Sequence, residues 1–339
     1  MTTQSNPQTQ TRATTMQAMV RTEYGPPEVM HLATMPKPTP RDHEVLIRVH
    51  ATTVTSGDCR MRSLNVPRGF GPIIRLVMGI NKPRMTVLGT EFAGVIEEVG
   101  KDVTGFKVGD RVFGMAGMKM GAHAEYLCIS EKGTMALTPA NLSHQQAASL
   151  PFGGTTMLDF YRRGGLKAGN CVLVNGASGA VGVAAIQIAR HLGAEVTAVC
   201  SARNAELVRS LGASKVIDYT REDFATGTET YDIIVDAVGN APFERSQKVL
   251  RSGGRLLLVL ATLPQMLASL GQSLSGKKVV AGPITEKAED IQLLARWAQE
   301  GHLKPVVDRE YTFTQMPEAH RYVDTGRKRG SVVVTVQAP

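Results

Sequence analysis

One stretch of this chain has the residue types and spacing to receive phosphate. Asn175-Gly176-Ala177-Ser178-Gly179-Ala180-Val181-Gly182 follows a short apolar run and opens a helical pattern. A glycine-rich strand-to-helix turn lets backbone approach a pyrophosphate, and helix N-terminal N–H groups meet its charge. Gly176 then permits the tight turn, Gly179 the close approach and Gly182 the packing of helix on strand. Ser178, Ala180 and Val181 belong to the same candidate site. A strict G-x-G-x-x-G asks for glycine where Ala177 or Ser178 stands, so the flanking strand and helix carry the inference.

The end of the next strand tests which dinucleotide fits. Sites that prefer NAD place Asp or Glu about twenty residues beyond the glycines, to hold the ribose hydroxyls. Here that place reads Val199-Cys200-Ser201-Ala202-Arg203, with no acid to repel a 2′-phosphate. Ser201 offers a hydroxyl and Arg203 a charge-assisted pair of hydrogen bonds, which points to NADPH. The competing reading makes Ser201 a helix cap and Arg203 a solvated surface residue. Tyr219 ends a third strand near the same rim, beside the adenosine phosphate or at the edge of the core. Ala237, Val238 and Gly239 follow a fourth strand, and Val259 and Leu260 end a fifth. They are candidates for the ribose, the pyrophosphate and the nicotinamide, because ligands of open sheets collect at the carboxyl ends of strands.

These residues need strands alternating with helices to hold them. Apolar runs at Cys171–Asn175, Glu195–Cys200, Lys215–Tyr219, Tyr231–Asp236, Arg255–Leu260 and Lys277–Ala281 alternate with helical patterns at Ala180–Leu192, Asn204–Leu211 and Pro242–Leu250. That order predicts a doubly wound parallel sheet covered on both faces. Residues 16–138 instead show short β signals punctuated by glycine and proline, as in Glu44–Val49 and Val87–Val99. Asn141–Ala148 starts a helix. Residues 61–84 hold three prolines and no clear period, which suits a lid or a surface excursion with one short helix. The end of the chain carries a helix at Ala288–Glu300 and a strand at Ser331–Val336. The expected division is a tail at 1–15, a mostly β domain at 16–138, a Rossmann domain at 139–281, and a return segment at 282–339 that pairs with the first domain.

Bulk properties narrow the class. With 339 residues the chain fits two domains. Aromatics at 5% and scattered cations argue against a base-stacking nucleic-acid binder, and the +8 formal charge suits a mildly basic surface or attraction for an anionic cofactor. Cys59, Cys128, Cys171 and Cys200 are far apart and form no C-x-x-C pair, so a cytoplasmic setting without a disulfide framework is expected. No apolar stretch suits membrane insertion, and the polar first fifteen residues read as a disordered tail and not as a secretory signal.

Together these pieces resemble the medium-chain dehydrogenase/reductase superfamily, in its zinc-free quinone oxidoreductase branch. The resemblance runs from Met16 to Val336. It rests on Tyr24-Gly25-Pro26-Pro27-Glu28-Val29, LGTEFAGVIEEVG from Leu88, FKVGDRVFG from Phe106, GAHAEY from Gly121, SLPFGGTT from Ser149, and NGASGAVG. It implies a GroES-like β domain built from both chain ends, a cofactor cleft between the domains, and a homodimer. It places Thr156 beneath the nicotinamide ribose. Zinc-dependent relatives use Cys, His and Cys or Asp as ligands. The matching positions look like Thr55, Thr90 and Pro151-Phe152 here, which points away from zinc. His123, His144 and His191 are expected to be structural or exposed.

Without a metal to polarise an alcohol, reduction of a quinone or of a C=C bond conjugated to a carbonyl is the chemistry that needs least help. Charge then develops on oxygen, and donors can stabilise it. Thr55, Asp58 and Arg60 are the catalytic candidates: Thr55 donates one hydrogen bond, Arg60 stabilises an anionic oxygen, and Asp58 orders the loop or pairs with Arg60. Quinone reductase relatives often carry Asn at the place of Thr55 and a tyrosine near Arg60, and this chain departs from both. The leading expectation is an NADPH-dependent quinone or enone reductase acting on a small hydride acceptor. An enoyl-thioester reductase and a cofactor-binding regulatory or adaptor protein are the alternatives.

Overall fold

The computed structural model describes residues 14–269 and 276–337. The first part of the expected N-terminal tail, residues 1–13, lies outside the described residues. Thr15 already belongs to strand β1 (Thr15–Arg21), which pairs antiparallel with β2 (Met30–Pro36). Next come β3 (Glu44–Val54), α1 (Ser56–Ser63), α2 (Gly71–Met78), β4 (Glu91–Val99), β5 (Arg111–Met115), β6 (Tyr126–Ser130) and β7 (Met135–Leu137). Helices α3 (His144–Ala148) and α4 (Pro151–Gly164) lead into β8 (Cys171–Asn175), α5 (Ala180–His191), β9 (Glu195–Cys200), α6 (Ala205–Ser210), β10 (Lys215–Asp218) and β11 (Tyr231–Asp236). The chain continues through α7 (Phe243–Ser246), β12 (Leu250–Leu258), α8 (Leu263–Ser269), β13 (Lys278–Val280), α9 (Ala288–Gln299), β14 (Val307–Thr312), α10 (Met316–Asp324) and β15 (Ser331–Thr335).

The architecture is α/β, as the strand and helix periods predict. Six strands form a parallel sheet in the order β10-β9-β8-β11-β12-β13. This is the doubly wound order whose direction reverses between its first and fourth strands, here β8 and β11, and that switch point is where such sheets bind ligands. Val172, Leu173, Val174, Ile233, Ile234 and Val235 are buried along those two strands, as a sheet covered on both faces requires. The second large sheet runs β14-β15-β3-β4-β5-β7, with β6 also on β3. Here β15 pairs antiparallel with β3, so the two ends of the chain build one sheet.

Several boundaries differ from expectation for identifiable reasons. The expected helix over Pro242–Leu250 shrinks to α7, because Leu250 already pairs with Tyr231 as the first residue of β12. The helix expected from Asn141 starts after Ser143, whose hydroxyl caps Gln146 N–H in a reciprocal capping box. Helix α4 was not expected. Its FGGTT segment has low helix propensity, yet both glycines are filled by close packing: a Cβ at Gly153 would stand 2.4 Å from Ala180 O, and one at Gly154 would stand 2.4 Å from the Leu294 side chain. Residues 61–84 contain one short helix, α2.

Candidate functional site

The glycine turn has three glycines in three different physical situations. Gly176 sits at φ +83°, in the left-handed region, and an added Cβ would meet Val238 at 2.6 Å. Gly182 lies in the first turn of α5, where a Cβ would fall 2.2 Å from Gly176 O and 2.7 Å from Ala177. Gly179 is the N-cap of α5 at φ −79°, and the nearest atom to its Cβ would be Gly176 O at 3.6 Å. Open space therefore faces Gly179, at the end of a helix whose first N–H groups lack side-chain caps. This fits a bound anion.

Three buried polar side chains hold that turn against its neighbours. Asn175 Nδ2 donates to Asp236 Oδ1 at 3.0 Å and to Asn240 Oδ1 at 2.7 Å, across the switch point. Asp236 Oδ1 also accepts from Val238 and Gly239 N–H, and its Oδ2 accepts from Ala241 N–H. One carboxylate thus shapes the loop that carries Ala237, Val238 and Gly239. Asn204 does the same on the other side. Its Nδ2 donates to Ser178 Oγ at 3.0 Å and to Ser201 Oγ at 3.4 Å, and its buried Oδ1 has no partner among the described residues. Sequence reasoning passed over Asn204 and Asp236. Asn204 was read as a helix start, and no local spacing announces that it joins residues from two different strand ends.

At the end of β9 the competing cap reading fails, because Ser201 makes no side-chain cap to the turn that follows it. Arg203 is exposed and has no carboxylate partner among the described residues. Tyr219 is 64% exposed, so it stands on the rim and not at the edge of the core. Val259 and Leu260 are half-buried where β12 ends, and Val259 N–H donates to Asp236 O at 3.0 Å. Thr156 is buried within α4.

The catalytic candidates need correction. Thr55 is the N-cap of α1. Its hydroxyl donates to Asp58 Oδ2 at 2.6 Å while accepting from Asp58 N–H at 3.1 Å, and Thr55 N–H donates to Asp58 Oδ2 at 2.8 Å. The hydroxyl proton expected to serve an oxyanion is therefore engaged in the cap. Asp58 is fully buried in the same box and makes no ion pair with Arg60, so it orders the loop. Arg60 is half-buried and without a hydrogen-bond partner among the described residues, and burial lowers its pKa. Of the three, it keeps free donors.

A second group of residues links the antiparallel sheet to helix α4 and to the glycine turn. Buried Glu91 on β4 accepts from Phe152 N–H at 2.6 Å and from the Thr53 hydroxyl. Burial pushes its carboxyl up to about 7, which those two hydrogen bonds only partly offset. Lys328 Nζ donates to Gly330 O at 2.7 Å, and desolvation draws its ammonium down to about 8 despite the pull of Glu91. Gly330 N–H in turn donates to Ser178 O at 2.8 Å. The return segment therefore touches the glycine turn directly.

The residues at the zinc-ligand positions do not suit a metal. Thr55 is used in its cap, Thr90 offers one hydroxyl, and Phe152 presents a ring. Among the described residues no group of three or more His, Cys, Asp or Glu side chains is arranged to hold an ion. His123 is buried, with Nε2 3.0 Å from Thr53 O, and His144 stacks on His50. His191 packs against Trp297 and His302. A surface cavity of about 360 Å³, lined by Asn170, Asp232 and Gly254 among others, lies at the amino ends of the parallel strands, away from the site.

Comparison with known proteins agrees with this geometry. The family described as alcohol dehydrogenase GroES-like domain matches residues 41–139, and that described as zinc-binding dehydrogenase matches residues 211–334. The chain is 31% identical to the 2-methylene-furan-3-one reductase of Solanum lycopersicum, over 94% of this chain and 79% of that protein. It is 33% identical to the mitochondrial NAD(P)H oxidoreductase RTN4IP1 of Bos taurus, over 97% of this chain and 91% of that protein. The solved quinone oxidoreductase of Coxiella burnetii superimposes with a TM-score of 0.84 at 28% identity, covering 95% of this chain and all of that one. The expected cytoplasmic setting is overturned: the bovine relative and its counterparts from Mus musculus, Homo sapiens and Danio rerio are mitochondrial proteins. No helix among the described residues is long and apolar enough to cross a membrane.

Proposed function

We propose, from the premise that this chain belongs to the medium-chain dehydrogenase/reductase superfamily and to its zinc-free, quinone-oxidoreductase-like branch, that it is an NADPH-preferring reductase of quinones or α,β-unsaturated carbonyls. Its nicotinamide-binding Rossmann fold and its hydride-acceptor chemistry follow from that membership. The preference for NADPH is the finer claim. The observation that carries it is the end of β9, where Arg203 stands exposed and unpaired beside Ser201, with no acid in the β9 end segment.

In this reading Ser201, Arg203 and Tyr219 receive the 2′-phosphate. Gly176, Ser178, Gly179, Ala180, Val181 and Gly182 cradle the pyrophosphate. Thr156, Ala237, Val238, Gly239, Val259 and Leu260 surround the nicotinamide ribose and ring. The bound cofactor supplies hydride to an electrophilic carbon or quinone. Arg60 offers positive charge to the oxygen that becomes anionic. Thr55 and Asp58 act indirectly, by fixing the start of α1. The edge of β13, which pairs on one side only among the described residues, supports pairing of two copies into a homodimer.

The test follows oxidation of NADPH and NADH separately, with quinones, alkenals, enones and enoyl thioesters as acceptors. Faster turnover of NADPH with quinones or enones is expected. A strong NADH preference overturns the role given to Ser201 and Arg203, and turnover confined to enoyl thioesters overturns the acceptor class. Light scattering in solution reports the dimer.

A further inference from the structure

Helix α2 is apolar on two faces. Ile74 and Met78 face inward, where they meet Met61, Met85, Leu88 and Met120. Ile73, Leu76 and Val77 recur at i, i+3 and i+4, which is one stripe of the helix, and Ile80 follows just beyond its end at Gly79; they are 47%, 66%, 51% and 60% exposed. A helix on the surface of a water-soluble domain ordinarily turns polar residues that way. This stripe is held in place: Tyr24 Oη donates to Gly79 O at 2.8 Å, and Arg84 N–H donates to Met78 O at 2.7 Å.

The charge carried by the segment itself has one sign. From Cys59 to Thr90 the sequence has no Asp or Glu, yet it carries Arg60, Arg62, Arg68, Arg75, Lys82 and Arg84. Arg68, Arg75, Lys82 and Arg84 are exposed and make no ion pair among the described residues. Exposed Met118 and Lys119 lie just before Met120, which packs under α2. The first thirteen residues, with one Arg, no acid and no aliphatic side chain larger than Ala except Met1, offer nothing complementary. An apolar helical stripe bordered by unpaired cations is the pattern of a segment that lies in the interface of an anionic bilayer.

We propose that α2 and its basic flanks dock this protein onto an anionic lipid surface as a peripheral protein. The position of α2 relates it to the Rossmann sheet. Arg68 O accepts from Leu263 N–H at 3.0 Å, at the start of α8, three residues beyond Leu260. The segment that leads into α2 therefore touches the chain just beyond the carboxyl end of β12. The docking itself does not depend on which acceptor or cofactor is used.

The experiment is co-sedimentation of the full chain with vesicles of phosphatidylcholine alone or mixed with phosphatidylglycerol, at 0.1 and 0.5 M NaCl. Binding to the mixed vesicles is expected, with at least tenfold weaker binding to neutral ones or at high salt, since each exposed cation contributes roughly fivefold. The double variant Leu76→Gln/Val77→Gln should lose at least tenfold in partition, and Arg75→Glu/Lys82→Glu a similar amount. Both should keep the soluble enzyme's NADPH oxidation and melting temperature. No binding to anionic vesicles, or equal binding by both variants, overturns the proposal. So does light scattering showing that Leu76→Gln/Val77→Gln splits a dimer, which would assign the stripe to a second copy.

Discussion

Replacing Gly179 and Gly182 by alanine, one at a time, should separate cofactor binding from folding. At Gly182 the new Cβ would stand 2.2 Å from Gly176 O and 2.7 Å from Ala177, both backbone. Interiors are close-packed, so restoring ordinary contact requires backbone to retreat by about 1 Å. Overpacking of this kind costs about 1–3 kcal/mol, equivalent to a fall in melting temperature of roughly 1–4 °C for a chain of this size. At Gly179 the φ of −79° suits alanine and the nearest atom is 3.6 Å away. The loss there is at most the N-cap preference, about 1 kcal/mol. Its methyl, however, projects into the space assigned to the pyrophosphate. Thermal unfolding with and without NADPH reads both effects. Saturating cofactor at about 100 times Kd stabilises a protein by about 2.7 kcal/mol. Gly182→Ala should melt early without cofactor, whereas Gly179→Ala should melt near the wild type and lose most of the NADPH gain. If Gly179→Ala keeps that gain in full, the pyrophosphate does not lie on this turn.

Other perturbations test the remaining assignments. Arg203→Glu should raise the KM for NADPH roughly ten- to hundredfold, the value of a charged hydrogen bond, and leave the KM for NADH nearly unchanged; equal losses would mean that Arg203 acts on the fold. Thr55→Ala should lower stability by about 1 kcal/mol in urea unfolding through loss of the α1 cap, and Thr55→Ser should restore it; a silent Thr55→Ala contradicts the capping role. Glu91 is raised from an ordinary 4.5 to about 7, so the folded state holds a proton that the unfolded state releases. Its contribution is complete below about pH 4.5 and is lost as pH rises through 7, a change of about 3 kcal/mol. Glu91→Gln should therefore gain on the wild type between pH 5 and 8 in urea titrations, and parallel curves would remove the buried-acid assignment. Dialysis against a chelator should leave NADPH oxidation intact, because Thr55, Thr90 and Phe152 supply no zinc site; loss of activity restored by zinc would reverse that conclusion.

The sequence makes some features plain and hides others for physical reasons. Gly179 and Gly182 were readable one by one, because each meets a constraint set within a single strand-turn-helix unit, and Gly176 adds to its turn a close approach to Val238 beyond β11. Thr55 and Asp58 also form a local pattern, a threonine followed three residues later by an acid, and it reads as a capping box once α1 is recognised as a helix. Asn204 and Asp236 could not be recognised this way. Their partners Ser178 and Asn175 lie on another strand or loop, and only the sheet order brings them together. Glu91 was visible as a lone acid, but its raised pKa depends on Thr53, on Phe152 and on burial by a helix that the glycines of α4 concealed. Lys328 sat in a basic triplet with Arg327 and Arg329, and nothing in that run distinguishes the side chain that folds inward.

The contact between Gly330 and Ser178 also bears on how the protein is made. Strands β8 to β13 are contiguous in the chain and can pair as they leave the ribosome. Strand β3, made early, must wait for β15 to complete its sheet. Pairings over such sequence distances form slowly. The glycine turn gains its last backbone hydrogen bond from the same late segment. A late-made segment thus fastens the nucleotide site, and a ribosome stalled before residue 330 would hold a chain with its parallel sheet formed and its cofactor turn still without that brace.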